Sequence, residues 1–366
     1  MIRKLLKIAN YVFAGALLLS CLTPFVSPEG FWPLAFLGLI FPILVGINMA
    51  FLVLWLSRKN LFFLISLGVL LVSLGPITRT YQFGGADGQE AKHGHPGASL
   101  KLLSYNVRAF NMLGSRSYGD RQQAMFRLIR QESPDVVCFQ EFYISEKKGL
   151  TLEEIHRQLP DLPYHHVVWL SESSRNRYGI ATFSKYPIVK KGRVVFEKTY
   201  NASIYSDFLM DKKRIRIFNN HLQSIRFNRK DYRFITNQSQ YDDSEKIKAL
   251  QDISFRLRDA YIKRARQAGE ISGHIRRSPY PVLVCGDFND TPVSYTYRTI
   301  RHNLKDAFVE AGSGMGITYK GQFPSFRIDY IFYDPGFRVL RFEVKDQSAS
   351  DHYPVVASFD MHRERS

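Results

Sequence analysis

The first 80 residues of this 366-residue chain consist mainly of long apolar runs, and this feature limits the fold more than any other. Three stretches, at about 8–26, 31–56 and 61–78, approach the roughly 18 or more apolar residues that cross a bilayer. Up to Arg79 the chain has only six Lys or Arg residues and one acid, Glu29, and all of them lie outside these stretches. Helices buried in a soluble domain normally keep a polar face, which these stretches lack. The sequence therefore predicts three transmembrane helices that form a membrane anchor over residues 1–80.

The short segments between the apolar stretches predict how the anchor is oriented. Three basic residues precede the first stretch and Arg58–Lys59 follow the second, whereas the turn at 27–30 has no Lys or Arg. Cytoplasmic loops carry the excess of Lys and Arg. We expect a cytoplasmic amino terminus in a membrane like the bacterial inner membrane, with the rest of the chain periplasmic or extracellular. A cleaved signal ending near Cys21 is the competing interpretation, and two further spans would still anchor the protein.

The remainder of the chain has the pattern of a soluble domain. Residues 81–98 are rich in Gly and small polar residues and predict a flexible linker. From residue 99, short runs that are apolar on both faces alternate with helical stretches, which indicates strands covered by helices. The predicted strands lie at 102–107, 135–140, 179–183, 214–219, 282–285, 330–333 and 355–359, and the helices at 120–132 and 244–269. A layered α/β domain over residues 99–362 follows.

Charge biases the choice of partner. After residue 80 the chain has 44 Lys and Arg against 32 Asp and Glu, an excess that favours polyanions such as nucleic acid or anionic lipid. The stretch Ile225–Tyr241 interleaves basic and aromatic residues. Such a loop suits stacked nucleic acid or a lipid interface, and it is equally typical of a solvated insertion. We interpret Lys263, Arg264 and Arg266 in the second helix as a solvated face.

Polar residues recur within or next to the predicted strands. If those strands share one region of a sheet, their side chains meet at a single edge and form a site. The candidates are Asn106, Glu141, His221, Asp287, Asn289, Asp329, Asp351 and His352.

Hydrolysis of a phosphoester explains these residue types. The ester repels nucleophiles, so the reaction needs a hard cation, and Asn106 and Glu141 offer oxygen ligands to Mg²⁺ or Mn²⁺. Asp351 would complete the metal sphere or support it from the second sphere. Asp287 can orient or activate a water, and the Asn289 amide can hold a phosphoryl oxygen, because the two side chains share a face of extended chain.

Two histidines complete the set. His352 can contact the phosphate or transfer a proton, with its tautomer fixed by Asp329. His221 adds a positive or hydrogen-bonding group to the transition state. An inactive binding module, the distant alternative, would require that a member of the set be missing, and all are present.

Taken in order, the motifs resemble the endonuclease/exonuclease/phosphatase superfamily. They are Ser104-Tyr105-Asn106-Val107, Gln140-Glu141, the segment 178–184, Asn220-His221-Leu222-Gln223-Ser224, Gly286-Asp287-Phe288-Asn289, Arg327-Ile328-Asp329-Tyr330 and the segment 350–355. The resemblance implies a four-layer α/β sandwich, two mixed β-sheets packed face to face and flanked by helices. It also implies metal binding by Asn106 and Glu141, and action of Asp287 and Asn289 on water and phosphate. His352 would pair with Asp329.

The resemblance leaves the substrate open, because members with this core cut DNA, RNA, inositol phosphates or phospholipids. The charge excess favours a phosphodiesterase that acts on nucleic acid. The membrane tether favours the alternative, a sphingomyelinase-like phosphodiesterase of phospholipid headgroups, and a phosphatase is also compatible. Besides its phosphoester substrate, the chain is expected to contact a lipid bilayer through its amino-terminal helices, and no protein partner is predicted.

Overall fold

The computed structural model describes residues 1–84, 99–112, 118–197, 199–210, 213–225, 229–237, 241–321, 325–346 and 349–361. They divide into two compact units. The first comprises Met1–Tyr81, Ser224–Ala268 and Asp290–Ile300, and the second comprises Gln82–Gln223, Gly269–Asn289 and Arg301–Ser366. Two stretches of the predicted soluble domain therefore group with the amino-terminal helices. Most of the predicted linker, 85–98, lies outside the described residues.

The helices and strands have the following bounds. The helices are α1 (Ile2–Leu22), α2 (Pro28–Phe31), α3 (Pro33–Leu39), α4 (Phe41–Ser57), α5 (Phe63–Val72), α6 (Leu74–Thr80), α7 (Tyr118–Glu132), α8 (Leu152–Gln158), α9 (Arg229–Thr236), α10 (Asp243–Arg276), α11 (Tyr295–Arg301) and α12 (Ala307–Ala311). The strands are β1 (Ser99–Asn106), β2 (Val136–Ser145), β3 (Tyr164–Glu172), β4 (Asn176–Ser184), β5 (Ile188–Val194), β6 (Ala202–Met210), β7 (Lys213–His221), β8 (Val282–Asp287), β9 (Lys305–Asp306), β10 (Asp329–Tyr333), β11 (Arg338–Val344) and β12 (Val355–Asp360).

The amino-terminal apolar stretches differ in continuity. Among the described residues, Ile2–Phe25 forms one helical stretch that is long and apolar enough to cross a membrane. The second and third stretches are each broken, because α3 meets α4 at 65° and α5 meets α6 at 64°. Pro42 and Pro76 lie beside the breaks, and a proline cannot donate a helical N–H bond. Counting each bent pair as one span gives up to three spans.

Buried polar bonds join the amino-terminal helices. The Asn10 side chain on α1 donates to Ser66 Oγ on α5 at 2.9 Å and accepts from Trp55 Nε1 on α4 at 3.0 Å. Asn48 Nδ2 on α4 donates to the Phe13 carbonyl at 3.1 Å. Side-chain hydrogen bonds between helices are a common means of association where the surroundings are apolar. They connect α1, α4 and α5 into one bundle.

The first unit also contains most of the 34-residue helix α10. Its Arg264 is buried and pairs with Asp290 at 3.1 Å, so the interpretation of Arg264 as part of a solvated face is wrong. Lys263 and Arg266 are exposed as expected. An arginine can be buried here because an acid neutralises it.

The second unit is built on two six-stranded sheets. Their strand orders are β11-β12-β1-β2-β4-β3 and β5-β6-β7-β8-β10-β9. Each is mixed, because β1 pairs with β2 and β7 with β8 in parallel while the other neighbours are antiparallel. One buried cluster joins Leu102 and Cys138 of the first sheet to Ile217 and Cys285 of the second, so the two sheets pack face to face.

Helices cover the outer faces of both sheets. Phe126 on α7 and Ile155 on α8 pack against Phe139 and its neighbours in the first sheet. The end of α10 lies over the second sheet, where the rings of His274 and Tyr205 are 6.1 Å apart. The predicted sandwich of two mixed sheets flanked by helices is confirmed.

Candidate active site

Asp287, the last residue of β8, lies at the centre of a buried polar cluster and is 1% exposed. Asn106 Nδ2 donates to its Oδ2 at 2.9 Å, and the backbone N–H of Asn289 donates to its Oδ1 at 2.8 Å. The preceding Gly286 has φ +132°, and a Cβ there would stand 2.0 Å from the Asn220 carbonyl oxygen. Only glycine fits this close approach of β7 and β8, which fixes where Asp287 points.

Strand register brings the Asp329–His352 pair to the same place. Asp329 lies directly opposite Asp287 in the β8–β10 ladder. His352 Nδ1 is 3.0 Å from Asp329 Oδ2, and its Nε2 is 3.7 Å from Asp287 Oδ2. Asp329 thus orients the imidazole so that Nε2 faces Asp287.

Glu141 and His221 close another side of the cluster. Glu141 has φ +50° within an irregularity of the β2–β4 ladder, which interrupts the alternation of β2. Its Oε1 is 3.4 Å from Asn106 Nδ2 and 3.7 Å from His221 Nε2. His221 ends β7 opposite Asp287 in the parallel β7–β8 ladder, with Nε2 3.8 Å from Asp287 Oδ2.

The electrostatics of the cluster are dominated by burial and by closely spaced acids. Burial raises the pKa of Asp287 to about 6, and the charge of Asp329 adds to this rise. Burial also raises the pKa of Glu141. Burial disfavours the charged form of His352, yet the neighbouring Asp329 and Asp287 outweigh it and raise the pKa of His352 to about 10.

The donor atoms suit a divalent cation. One ligand atom from each of Asp287, Asp329 and His352 lies within 4.8 Å of the others. Carboxylate oxygens are ligands for such ions, and a cation would offset the repulsion among the acids. Asn106 contributes an amide oxygen that accepts from the Arg108 backbone N–H at 3.0 Å and retains a second lone pair.

The side chains of six of the eight predicted residues are therefore linked by these contacts, and the side chains of the other two have different partners. Asn289 follows Asp287 by two residues, and its amide donates to the Leu222 carbonyl at 3.0 Å. Asp351 forms an ion pair with Arg108 at 3.4 Å and accepts from Ser350 Oγ at 3.3 Å. The roles given to these residues from sequence remain predictions.

Sequence reasoning missed a left-handed turn beside the site. Arg108 to Asn111 all have φ between 47° and 55°, a conformation that costs energy for residues other than glycine. Phe110 offsets this cost by packing among buried rings, with centroids 5.5 Å from Phe126 and 5.9 Å from Phe139. The turn carries Arg108, whose side chain is 57% exposed. Of the four residues in this turn, Asn111 alone is of a type that favours positive φ, and Arg108, Ala109 and Phe110 give no such signal.

A second missed feature is a buried amide pair between the sheets. Gln140 Nε2 donates to Asn219 Oδ1 at 2.7 Å, and Asn219 Nδ2 donates to the Ala181 carbonyl at 2.9 Å. Gln140 directly precedes Glu141, and Asn219 stands two residues before His221. The signal was available, because a polar residue inside an otherwise apolar strand usually has a buried partner.

Comparison with known proteins matches this geometry to one family. A family model described as the endonuclease/exonuclease/phosphatase family matches residues 103–352. A second model, described as a domain of unknown function, matches residues 3–80. A search of curated proteins found no match.

Solved structures share the fold at low identity. A structure of D. rerio TDP2 complexed with a single-strand DNA product has a TM-score of 0.52 and 16% identity, over 72% of this chain and 99% of that one. The human Nocturnin catalytic domain with bound sulfate has a TM-score of 0.52 and 18% identity, over 72% and 93%. A family protein from Bacteroides thetaiotaomicron has a TM-score of 0.52 and 18% identity, over 72% and 97%.

The family model spans more than half of the chain, and the matched residues include the whole cluster from Asn106 to His352. The chain therefore belongs to the endonuclease/exonuclease/phosphatase family and is a phosphoester hydrolase.

Proposed function

We propose that this protein is a membrane-anchored, Mg²⁺-dependent phosphodiesterase that acts on nucleic acid. The observation that carries the proposal is the buried contact of Asp287 with Asn106, beside the Asp329–His352 pair and Glu141. A buried set of acids with two imidazoles at its edge suits the activation of water next to a phosphate.

The residues then have distinct roles. Asp287, with its pKa raised to about 6, orients a water and accepts its proton. The protonated His352, held by Asp329, stabilises negative charge on the phosphoryl oxygens. Asn289 and His221 position those oxygens from the ends of β8 and β7. Mg²⁺ held by Glu141 and Asn106, with Asp351 nearby, would supply further positive charge.

Charge supports a nucleic-acid substrate. Basic residues outnumber acidic ones by 12 beyond residue 80, and Arg108 stands exposed beside Asp351 at the edge of the cluster. Phosphate backbones are bound through such excess positive charge. The bound single-strand DNA product of the D. rerio relative supports the same class.

The apolar helices support membrane anchoring. The stretch Ile2–Phe25 is long enough to span, and many large side chains on the amino-terminal helices are exposed, including Val53 at 65% and Leu64 at 52%. Lipid is the solvent that such a surface requires. The basic residues at the amino terminus and at 58–59 favour a cytoplasmic amino terminus and a periplasmic or extracellular catalytic unit.

Turnover by the purified full-length protein tests the catalytic proposal. We expect Mg²⁺-dependent cleavage of single-stranded or plasmid DNA, with Mn²⁺ and Ca²⁺ compared and EDTA abolishing activity. Asp287→Ala and His352→Ala should each remove it, whereas the matched change Asp161→Ala at an exposed acid should not. Equal turnover by wild type and the two site variants would refute the enzyme mechanism. Cleavage of detergent-dispersed phospholipid instead of DNA would establish the sphingomyelinase-like alternative.

A reporter fusion tests the orientation. Alkaline phosphatase is active only outside the cytoplasm, so its fusion after Arg79 should be active. An active fusion after Arg58 together with an inactive one after Arg79 would reverse the proposed topology.

A further inference from the structure

On helix α10, mainly apolar residues recur at alternating steps of three and four, a pattern that repeats every seven residues. They are Ile247, Leu250, Ser254, Leu257, Tyr261, Arg264, Ala268, Ile271 and Ile275. Residues three and four apart lie on one face of a helix. From Leu257 onward every one of these positions is buried, but Ile247 is 58% exposed and Leu250 is 57% exposed. The apolar face therefore begins at Ile247, almost three turns before the first buried position, Leu257.

The cover of the first buried part is an amino-terminal helix. Leu257 and Tyr261 pack with Ala35 of α3, and the Tyr261 ring is 5.9 Å from that of Phe36. All these residues belong to the first unit. The face that carries Ile247 and Leu250 is thus the face that contacts the apolar helices about two to four turns further along.

Two further contacts join α10 and α11 to the end of the first apolar helix. Arg266 on α10 pairs with Glu29 at 2.5 Å, and Glu29 lies in α2, just beyond the candidate span Ile2–Phe25. The Arg298 guanidinium stands 4.4 Å from the ring centre of Phe25, the last residue of that span. Charged groups at the end of a span mark the boundary between hydrocarbon and water. The part of α10 around Arg266 therefore lies at the level where a bilayer would end.

We propose that the first two turns of α10 lie in the surface of the bilayer beside the amino-terminal helices, with Ile247 and Leu250 inserted between lipid headgroups. The inference rests on the membrane anchoring proposed above and extends it to a segment within the catalytic part of the sequence. Asp252 is exposed and lies on the opposite face of the helix, toward water. An apolar stripe against lipid with charge on the far side is the arrangement of an interfacial helix. The lipid surface thereby becomes a second attachment point for the segment between β7 and β8.

Fluorescence quenching by lipid tests the placement. Single cysteines are introduced at Ile247→Cys or Leu250→Cys in a full-length Cys21→Ser background and labelled with an environment-sensitive dye. The protein is then reconstituted into phosphatidylcholine vesicles with or without brominated acyl chains. We expect brominated lipid to lower the dye signal at both positions by roughly half, because interfacial helices insert about 5–10 Å. The matched label at Asp252→Cys should keep its signal.

A label at Val53→Cys on α4 separates this inference from membrane anchoring itself. If the label at Val53→Cys is quenched but the labels at 247 and 250 keep the same signal as the label at Asp252→Cys, the placement of α10 is overturned and the membrane anchor is not. An unquenched label at Val53→Cys would overturn both. Labels at Leu250→Cys could instead show energy transfer that grows with protein density and no quenching by lipid. That result would overturn the proposal and indicate that a second copy of the chain covers Ile247 and Leu250.

Discussion

His166 is predicted to make the folded protein sensitive to acid. The residue lies in β3, is 5% exposed, and its Nδ1 is 2.9 Å from Ser206 Oγ on β6 of the other sheet. Burial, with the nearby charges of Lys191 and His165, lowers the pKa of His166 to about 4. The structure therefore holds this imidazole in its neutral form.

The sign and size of the effect follow from proton linkage. An unfolded histidine has a pKa of about 6.5, so between that value and about 4 the unfolded state binds more protons than the folded state. The stability contributed by the neutral ring is fully present above about pH 6.5 and is lost as the pH falls toward 4. At pH 5 the loss amounts to about 2 kcal/mol.

Chemical denaturation of the full-length protein in detergent measures this loss. We compare the free energy of unfolding at about pH 7.5 and about pH 5 for wild type and His166→Gln, which removes the titrating group. The decrease for wild type should exceed the decrease for the variant by about 2 kcal/mol. His302→Gln, at an exposed histidine, controls for the removal of a histidine as such. Equal decreases for wild type and His166→Gln would refute the reasoning.

Three further predictions concern Gly286, the Asp207–Arg216 pair and Asp329. Gly286→Ala should lower the free energy of unfolding by about 3 kcal/mol and abolish turnover, because the new Cβ would lie 2.0 Å from the Asn220 carbonyl oxygen; an unchanged thermal midpoint would contradict this. In the wild type, Arg216 donates to both Asp207 carboxylate oxygens, at 2.6 and 2.8 Å, so Arg216→Met leaves Asp207 as a buried charge without its partner. The free energy of unfolding in denaturant should fall by about 3–5 kcal/mol, and adding Asp207→Leu should recover most of that loss. Asp329→Asn should lower kcat on DNA about 10²–10⁴-fold with little change in KM, and a wild-type kcat would exclude a role for the pair with His352.

The site could be predicted from sequence because its residues stand at the ends of strands that pair with one another. His221 and Asp287 end neighbouring parallel strands, and Asp329 begins the strand antiparallel to β8. Apolar runs in the sequence predict those strands, and the polar residues at the strand ends stand out because they interrupt the apolar runs. The register of the strand pairs then places these polar residues next to one another.

Other elements had no such signal. Strands β3, β5, β6 and β11 were not predicted, since parts of β3, β5 and β11 are exposed to water and lack a continuous apolar run. In β6 the apolar run is interrupted by Ser203, Ser206 and Asp207, which are buried and have their partners on other strands. Such polar residues lower the apparent strand signal, and only tertiary pairing makes them compatible with burial.

The boundary between the two units could not be predicted from the sequence pattern. Composition changes sharply near residue 80, yet Asp290 to Ile300 pack with the amino-terminal helices. A Cβ on Gly38 of α3 would stand 2.3 Å from the Val293 carbonyl oxygen, so the two backbones are nearly in contact. A fragment that begins at residue 99 would lose this contact, together with the cover of Leu257 and Tyr261. Asp290 is joined to Asn289 by a peptide bond, and the amino-terminal helices therefore support the segment that directly follows the catalytic cluster.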